Sequence, residues 1–398
     1  MKIYQKYFIL LTILSVFSCG LFAKSLPVGI TLNMSGTDAQ YSLDFKNGIE
    51  AYFQAANSTE RFGKYKLQLI SMDDMGNKER AISNTKRLVK NKQSLALIST
   101  HEEALLKEIS NISLKTNTLL LSSINSKIDT NKKNKNFLAY LNAPIIDQLA
   151  ALKTTINVAE SIFILTNQNN DEILSTVNSY IVDPNSQKAN NISSEQLLSL
   201  SSESASTFII NKNFIEATQD IKTILSFSEK HTIYVMSSSG PSLIANALKY
   251  DITSEKLQQV NYLNTVPLHQ LSLKAVKEFR DNMNNFNPNA SKSHQAFKGY
   301  LLADVLASAI EQSMEGIKTD SLLGVITLPF QILDKVVGWV KHAGADINRK
   351  IIAQELRSFK SFDLGLNEKV NLKKSNVIIN KVWFTQANKN GLFIENQL

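Results

Sequence analysis

Side chains able to do chemistry are sparse and scattered in this sequence. The five histidines, His101, His231, His269, His294 and His342, never fall at the short spacings that zinc ligands need. Ser83 and Lys86 stand in an S-x-x-K order, but on a polar helical face and without the second motif that acyl-transfer enzymes carry. No glycine-rich phosphate cradle, H-E-x-x-H or G-x-S-x-G occurs. The adjacent acids Asp73-Asp74 come nearest to a reactive constellation. They follow an apolar run and precede Gly76-Asn77, where aspartate serves as a turn or helix-start residue, so a structural role is preferred to a metal or catalytic one. The residue types predict no enzyme, no cofactor and no metal.

The elements that would position these residues alternate. Val28, Ile30, Leu32 and Met34 alternate with polar or small residues as in a strand, and Phe45, Ile49, Tyr52, Phe53 and Ala56 recur at helical spacing. Strands are expected at 66–72, 95–99, 118–122, 161–166, 207–211, 232–236 and 260–263, with helices between them, the first at 78–89. Repeated strand–helix units predict an α/β fold of parallel sheets flanked by helices. Residues 125–136 and 183–194 are polar and read as exposed loops. Residues 316–348 are more apolar. Pro329, Asp334 and Lys335 interrupt them, which favours amphipathic helices around a proline break over a membrane span.

A chain of 398 residues exceeds the usual single core and predicts two domains. The balance is basic, 43 Lys+Arg against 35 Asp+Glu, but the charges are scattered with no arginine stripe or interleaved aromatics, so no nucleic-acid partner is expected. At the N-terminus Lys2 and Lys6 precede an apolar run from Tyr7 to Phe17, too short for a stable membrane anchor, and small residues follow. Residues 1–23 therefore read as a signal peptide. The single cysteine, Cys19, lies inside it. Two readings stand: Val16-Phe17-Ser18-Cys19 as a lipidation site, or a cysteine discarded on cleavage near Ala23.

Residues 27–100 resemble the opening lobe of the periplasmic leucine/isoleucine/valine-binding proteins, substrate-binding proteins of ABC transporters. The resemblance rests on the strand ending in Ser35-Gly36, the helix with Asn47-Gly48-Ile49 and Ala51, the Gly63-Lys64 turn, Asp73-Asp74, and a helix with Ala81 and Leu88-Val89. Fainter likeness runs on through Asn142-Ala143-Pro144, residues 263–268, the 296–310 helix with Tyr300 and Ala303, and 351–393, including Phe362-Asp363-Leu364-Gly365 and paired strands around 377–384. It implies the type I, two-lobed "Venus flytrap" fold, with lobe 1 at 26–142 and 267–365, an insertion at 316–348, and lobe 2 at 143–266 and 366–398. It also implies a small ligand held between the lobes by hinge closure, and a membrane ABC permease as partner in the periplasm of a Gram-negative bacterium. The same fold also serves an alternative: an envelope lipoprotein that acts as a protein-binding regulator or a ligand sensor.

The resemblance places ligand contacts at Ser35, at His101, Glu102 and Glu103, at Ser123, Asn125 and Ser126, at Asn213 and Phe214, and at Ser238 and Ser239. The pattern departs from the family at several of these. Where a serine or threonine site would take a ligand carboxylate, the chain reads Thr100-His101-Glu102-Glu103. Two acids there repel a carboxylate, or they stabilise the first turn of a helix. The family's aromatic-glycine signature is replaced by Thr166-Asn167-Gln168-Asn169, and Ser237-Ser238-Ser239-Gly240 holds no acid for a ligand ammonium. The expected ligand is therefore something other than a standard α-amino acid, or the cleft binds little.

Overall fold

The computed structural model describes residues 24–326 and 348–396, apart from 37–38, 102, 125–134, 154, 157–159, 167–170, 182–188, 201–203, 228–229, 249–250, 269–270 and 388–392. In chain order the first lobe opens with β1 (Lys24–Leu32), α1 (Ala39–Ser58), β2 (Tyr65–Asp73), α2 (Lys78–Lys90), β3 (Ala96–Ser99), α3 (Glu103–Lys115), β4 (Leu119–Ser122) and β5 (Leu138–Tyr140). The second comprises α4 (Ile145–Leu152), β6 (Ser161–Thr166), α5 (Asp171–Tyr180), β7 (Asn190–Asn191), α6 (Ser194–Leu198), β8 (Ser206–Asn211) and α7 (Phe214–Phe227), then β9 (Thr232–Val235), α8 (Pro241–Leu248), α9 (Ser254–Leu257) and β10 (Val260–Asn264). The chain then runs through α10 (Lys274–Phe286), α11 (His294–Ile326), α12 (Arg349–Ser358), β11 (Phe362–Asp363), β12 (Lys369–Val370), β13 (Trp383–Ala387) and β14 (Phe393–Asn396).

One sheet has the order β2-β1-β3-β4-β5 and is wholly parallel; a second is β14-β13-β10-β9-β8-β6-β7, parallel from β10 to β7 with β13 and β14 antiparallel at its edge; β11 and β12 form a small antiparallel pair of their own. The order 2-1-3-4-5 thus recurs in the second lobe as β7-β6-β8-β9-β10. Parallel strands need crossover helices on both faces, which explains why the central strands are apolar on both sides: β3 and β4 are buried at every position. Val28, Ile30 and Leu32 have no exposure.

Close backbone contact joins α1 to α11. A Cβ built on Gly48 would stand 1.8 Å from the Ala296 carbonyl oxygen, and one on Gly299 would stand 2.1 Å from that of Phe45. Further along, Tyr52 donates to Asp304 Oδ1 at 2.6 Å, and Arg61 holds Glu311 at 2.6 Å and Ser308 at 3.0 Å. The two helices therefore run the same way, from the carboxyl end of β1 towards its amino end. No helix among the described residues is long and apolar enough to cross a membrane. The expectation for 316–348 falls partly on α11, while 327–347, the signal-peptide segment and Cys19 lie outside the described residues.

The lobe boundaries need one correction. The chain was expected to enter lobe 2 at 366, yet Leu366, Val370, Leu372, Ile378 and Ile379 pack into the lobe 1 core with β1 and α11. Ile378 N donates to Tyr140 O at 2.7 Å and Ile379 N to Leu141 O at 3.1 Å, so the segment runs beside the end of β5. The crossing falls between Ile379 and Trp383, the latter pairing with Asn264. Accordingly the paired strands expected around 377–384 are β13 and β14, and Val377 makes only an isolated bridge to Tyr140.

Candidate functional site

Among the described residues three crossings join the lobes, and each lies at the carboxyl ends of the parallel strands of both sheets. The first leaves β5 at Tyr140 and enters α4, where Gln148 Nε2 donates to Ala143 O at 3.0 Å and its Oε1 accepts from Ser237 N at 3.1 Å, just past the end of β9. The second leaves the end of β10 after Asn264, and Asn264 Nδ2 donates to Thr385 Oγ1 at 2.8 Å. The third runs from Ile379 to Trp383. In open α/β sheets the crevice outside the carboxyl ends of the strands is where ligands bind. Here the two crevices are joined to each other through the crossings.

On the lobe 1 side the edge is built by Asp73 and Asp74. Asp73 accepts from Ser35 Oγ at 2.5 Å, Met34 N at 3.0 Å and Met75 N at 2.9 Å. The Ser35 hydroxyl, opposed by burial and helped by the Met75 and Met34 backbone donors and Arg80, holds its carboxyl below the usual range. Asp74 is 1% exposed and accepts from Thr31 Oγ1, Gly76 N and His101 Nε2, each at 2.9 Å. Burial pushes its carboxyl up, but the hydrogen bond and charge of His101 together with the Gly76 and Thr31 donors outweigh it, and the net direction is down. Gly76 and Met75 sit at φ 70° and 55°, the left-handed turn that lets two backbone N–H groups converge on the acids.

His101 Nδ1 lies 3.2 Å from Ser99 Oγ, so serine, imidazole and aspartate form a connected series. Nucleophilic catalysis needs an accessible hydroxyl, and Ser99 has no exposure. The series therefore fixes the loop after β3 and offers no open nucleophile. Ser35 is exposed at the edge, whereas Ser123 is 2% exposed and its hydroxyl has no partner among the described residues. Glu102, Asn125 and Ser126, with the side chain of Glu103, lie outside the described residues.

On the lobe 2 side, Ser238 is exposed and its hydroxyl donates to Asn211 Oδ1. Ser239 is 1% exposed; its hydroxyl accepts from Lys212 N at 3.1 Å and contacts Ile210 O at 3.3 Å. Asn213 Oδ1 accepts from Glu216 N at 3.0 Å, at the start of α7, and Phe214 is half-buried against the lobe's own core. Sequence reasoning missed Lys212. Its Nζ contacts Asp220 Oδ2 at 2.7 Å and Ser194 Oγ at 2.8 Å, with both charged side chains buried, so its charge is neutralised within the lobe. A signal was available, because Asp220 interrupts the apolar stripe of Ala217, Ile221 and Ile224, and an acid there needs a cation. Among the described residues no group of three His, Cys, Asp or Glu side chains could hold a metal ion.

Comparison with known proteins agrees with this architecture. The family described as periplasmic binding protein matches residues 25–170. A substrate-binding periplasmic protein from Ralstonia solanacearum superposes with a TM-score of 0.72 at 14% identity, covering 93% of this chain and 100% of that one. The branched-chain amino acid transporter substrate binding protein of Streptococcus pneumoniae, solved with isoleucine, gives 0.68 at 13%, covering 94% and 100%. A fatty acid ABC transporter substrate-binding protein from Thermomonospora curvata gives 0.69 at 12%, covering 94% and 92%. No curated protein sequence matches. The chain thus has the two-lobed fold of the type I periplasmic binding proteins, and its residues 25–170 match the model described as periplasmic binding protein.

Proposed function

We propose that this chain is an exported solute-binding protein that captures a small ligand between the carboxyl edges of its two sheets and presents it to an ABC-type importer. The observation that carries this reading is the position of the crossings, which among the described residues join the lobes at those edges, so that rotation about them opens and closes one crevice. A ligand touching both edges favours the closed form by its differential contacts, and closure is the state a permease recognises.

The polar groups at the edges argue for the class of ligand. Lobe 1 offers the Ser35 hydroxyl, the Asp73 carboxylate and the His101 imidazole; lobe 2 offers Asn211 and Ser238. Lys212, directly after the end of β8, is held by Asp220. Among the described residues no unpaired cation at the edges matches the carboxylate anchor of a branched-chain amino acid, and a hydroxyl-, amide- or amine-bearing ligand fits better. Solved relatives of this fold include one with isoleucine and one named for fatty acids, so the frame admits different ligands. Native mass spectrometry of protein purified from its host is expected to retain a small molecule of this polar kind. Calorimetry with leucine, isoleucine and valine is expected to show no micromolar binding; micromolar binding of any of them would overturn the proposed ligand class.

A second reading, a protein-binding regulator of the same fold, is favoured by Phe214 and Ser239. Both face the core of lobe 2 and so reduce the groups left for a ligand.

A further inference from the structure

We propose that the end of lobe 1 opposite the crevice docks on an anionic phospholipid surface, whatever the crevice holds. The strands of the first sheet are all parallel, so their amino ends form one edge, and lysines collect there. Lys24 opens β1, Lys64 precedes β2, Lys90 ends α2 and Lys92 follows it before β3, Lys115 ends α3, and Lys350 stands in the first turn of α12; all six are exposed. The acids described at this end are Glu60, Glu355 and Glu311, and Glu311 is held by Arg61 at 2.6 Å. None of the ion pairs among the described residues uses Lys64, Lys90, Lys92, Lys115 or Lys350.

The site is also shaped. An open cavity of about 720 Å³ at this edge is lined by Val89, Lys90, Thr116, Asn117, Arg349 and Lys350, among others. Arg349 Nε donates to Ser94 O at 2.8 Å and Nη2 to Val89 O at 2.6 Å, and among the described residues no carboxylate pairs with its charge. Two adjacent cations in the first turn of α12, with no acid in that turn, oppose the helix dipole. An anion in the cavity compensates both, and a headgroup phosphate carries the charge and the acceptor oxygens that the cavity's cations and amides would meet.

Of the two readings of Cys19, lipidation selects a membrane as the source of that phosphate. The apolar run Tyr7 to Phe17 and Cys19 precede Lys24, and β1 begins at this same edge. Cys19 and Lys24 are five residues apart in sequence. At full extension that is about 17 Å, so a chain anchored at Cys19 holds the basic end against the bilayer. A single lipid chain gives only marginal binding, and a basic patch is the usual second contribution.

The test is co-sedimentation of the full chain with vesicles of phosphatidylcholine alone and of phosphatidylcholine mixed with phosphatidylglycerol. Binding to the neutral vesicles reads the contribution of the apolar segment, and the excess on the anionic ones reads the basic end. We expect an excess of about tenfold or more at low salt. It should fall as salt shortens the screening length. Replacing the exposed Lys90, Lys92 and Lys350 together by glutamine should abolish it, whereas the control replacement of Lys274 and Lys277, exposed on α10, should keep it. Equal binding to both vesicle types, or an excess that survives the triple replacement, overturns the proposal; so does an excess lost equally in the control.

Discussion

His101 Nε2 donates to Asp74 Oδ2 at 2.9 Å across the end of β1, linking the ends of β2 and β3, which are not neighbours in the sheet. Thr31 on the intervening strand donates to the same oxygen at 2.9 Å, so three successive strand ends are tied at one carboxylate. Replacing Asp74 by asparagine removes the charge and leaves buried donors poorly matched. We expect a loss of about 1–3 kcal/mol in urea unfolding at neutral pH. An unchanged midpoint would show that the linkage is ornamental.

The same carboxylate sets an acid dependence. The folded-state pKa of Asp74 lies below its unfolded value, as does that of Asp73. Their stabilisation is fully present above about pH 4 and is lost as pH falls through the folded value. Stability followed from pH 5 downward should drop more steeply in the wild type than in Asp74→Asn. Parallel curves would contradict this.

Lys212 and Asp220 form a buried pair at 2.7 Å. Asp220→Asn strands a buried cation, with an expected loss of about 3–5 kcal/mol. Lys212→Met combined with Asp220→Leu removes both charges and is expected to recover most of it. A double variant as unstable as the single one would mean that the pair contributes more than charge balance.

Lys298 is 4% exposed on α11, and burial pushes its amine down to about 8. The folded value lies below the unfolded one, so the buried charge destabilises at neutral pH, and stability rises as pH climbs from about 8 towards the unfolded value near 10. Lys298→Met should raise stability at pH 7 by about 1–3 kcal/mol and remove that rise. Thermal unfolding at pH 7 and pH 9.5 checks both, and a destabilised variant would refute the assignment.

Gly299→Ala places a methyl 2.1 Å from the Phe45 carbonyl oxygen. The backbones of α1 and α11 must separate, at an expected cost of about 1–3 kcal/mol. A wild-type melting temperature would show that the helices yield freely.

Much of the fold was legible because periodicity reports burial locally. The strand expected at 161–166 is β6, and the helix expected at 78–89 is α2, capped by Asn77 accepting from Arg80 N at 2.8 Å. Lobe membership late in the chain was not legible. Leu366, Val370 and Leu372 would suit either core, and only their contacts with β1 and α11 decide. At the site, Asp73-Asp74 read correctly as turn residues, but the reach from Asp74 to His101 depends on strand order, which spacing does not encode. The resemblance placed Ser239 among the ligand contacts, yet its hydroxyl serves Lys212 N and it is buried.

The glycine contacts between α1 and α11 have a mechanical consequence. At Gly48 and Gly299 backbone packs on backbone with no side chain between them to deform, and further along side chains tie the pair, so the helices act as one strut. With 20 residues, α1 extends about 30 Å from the crevice rim towards the basic end. A ligand that tilts the rim therefore tilts the far end as well, and a surface gripping that end would register whether the crevice is full.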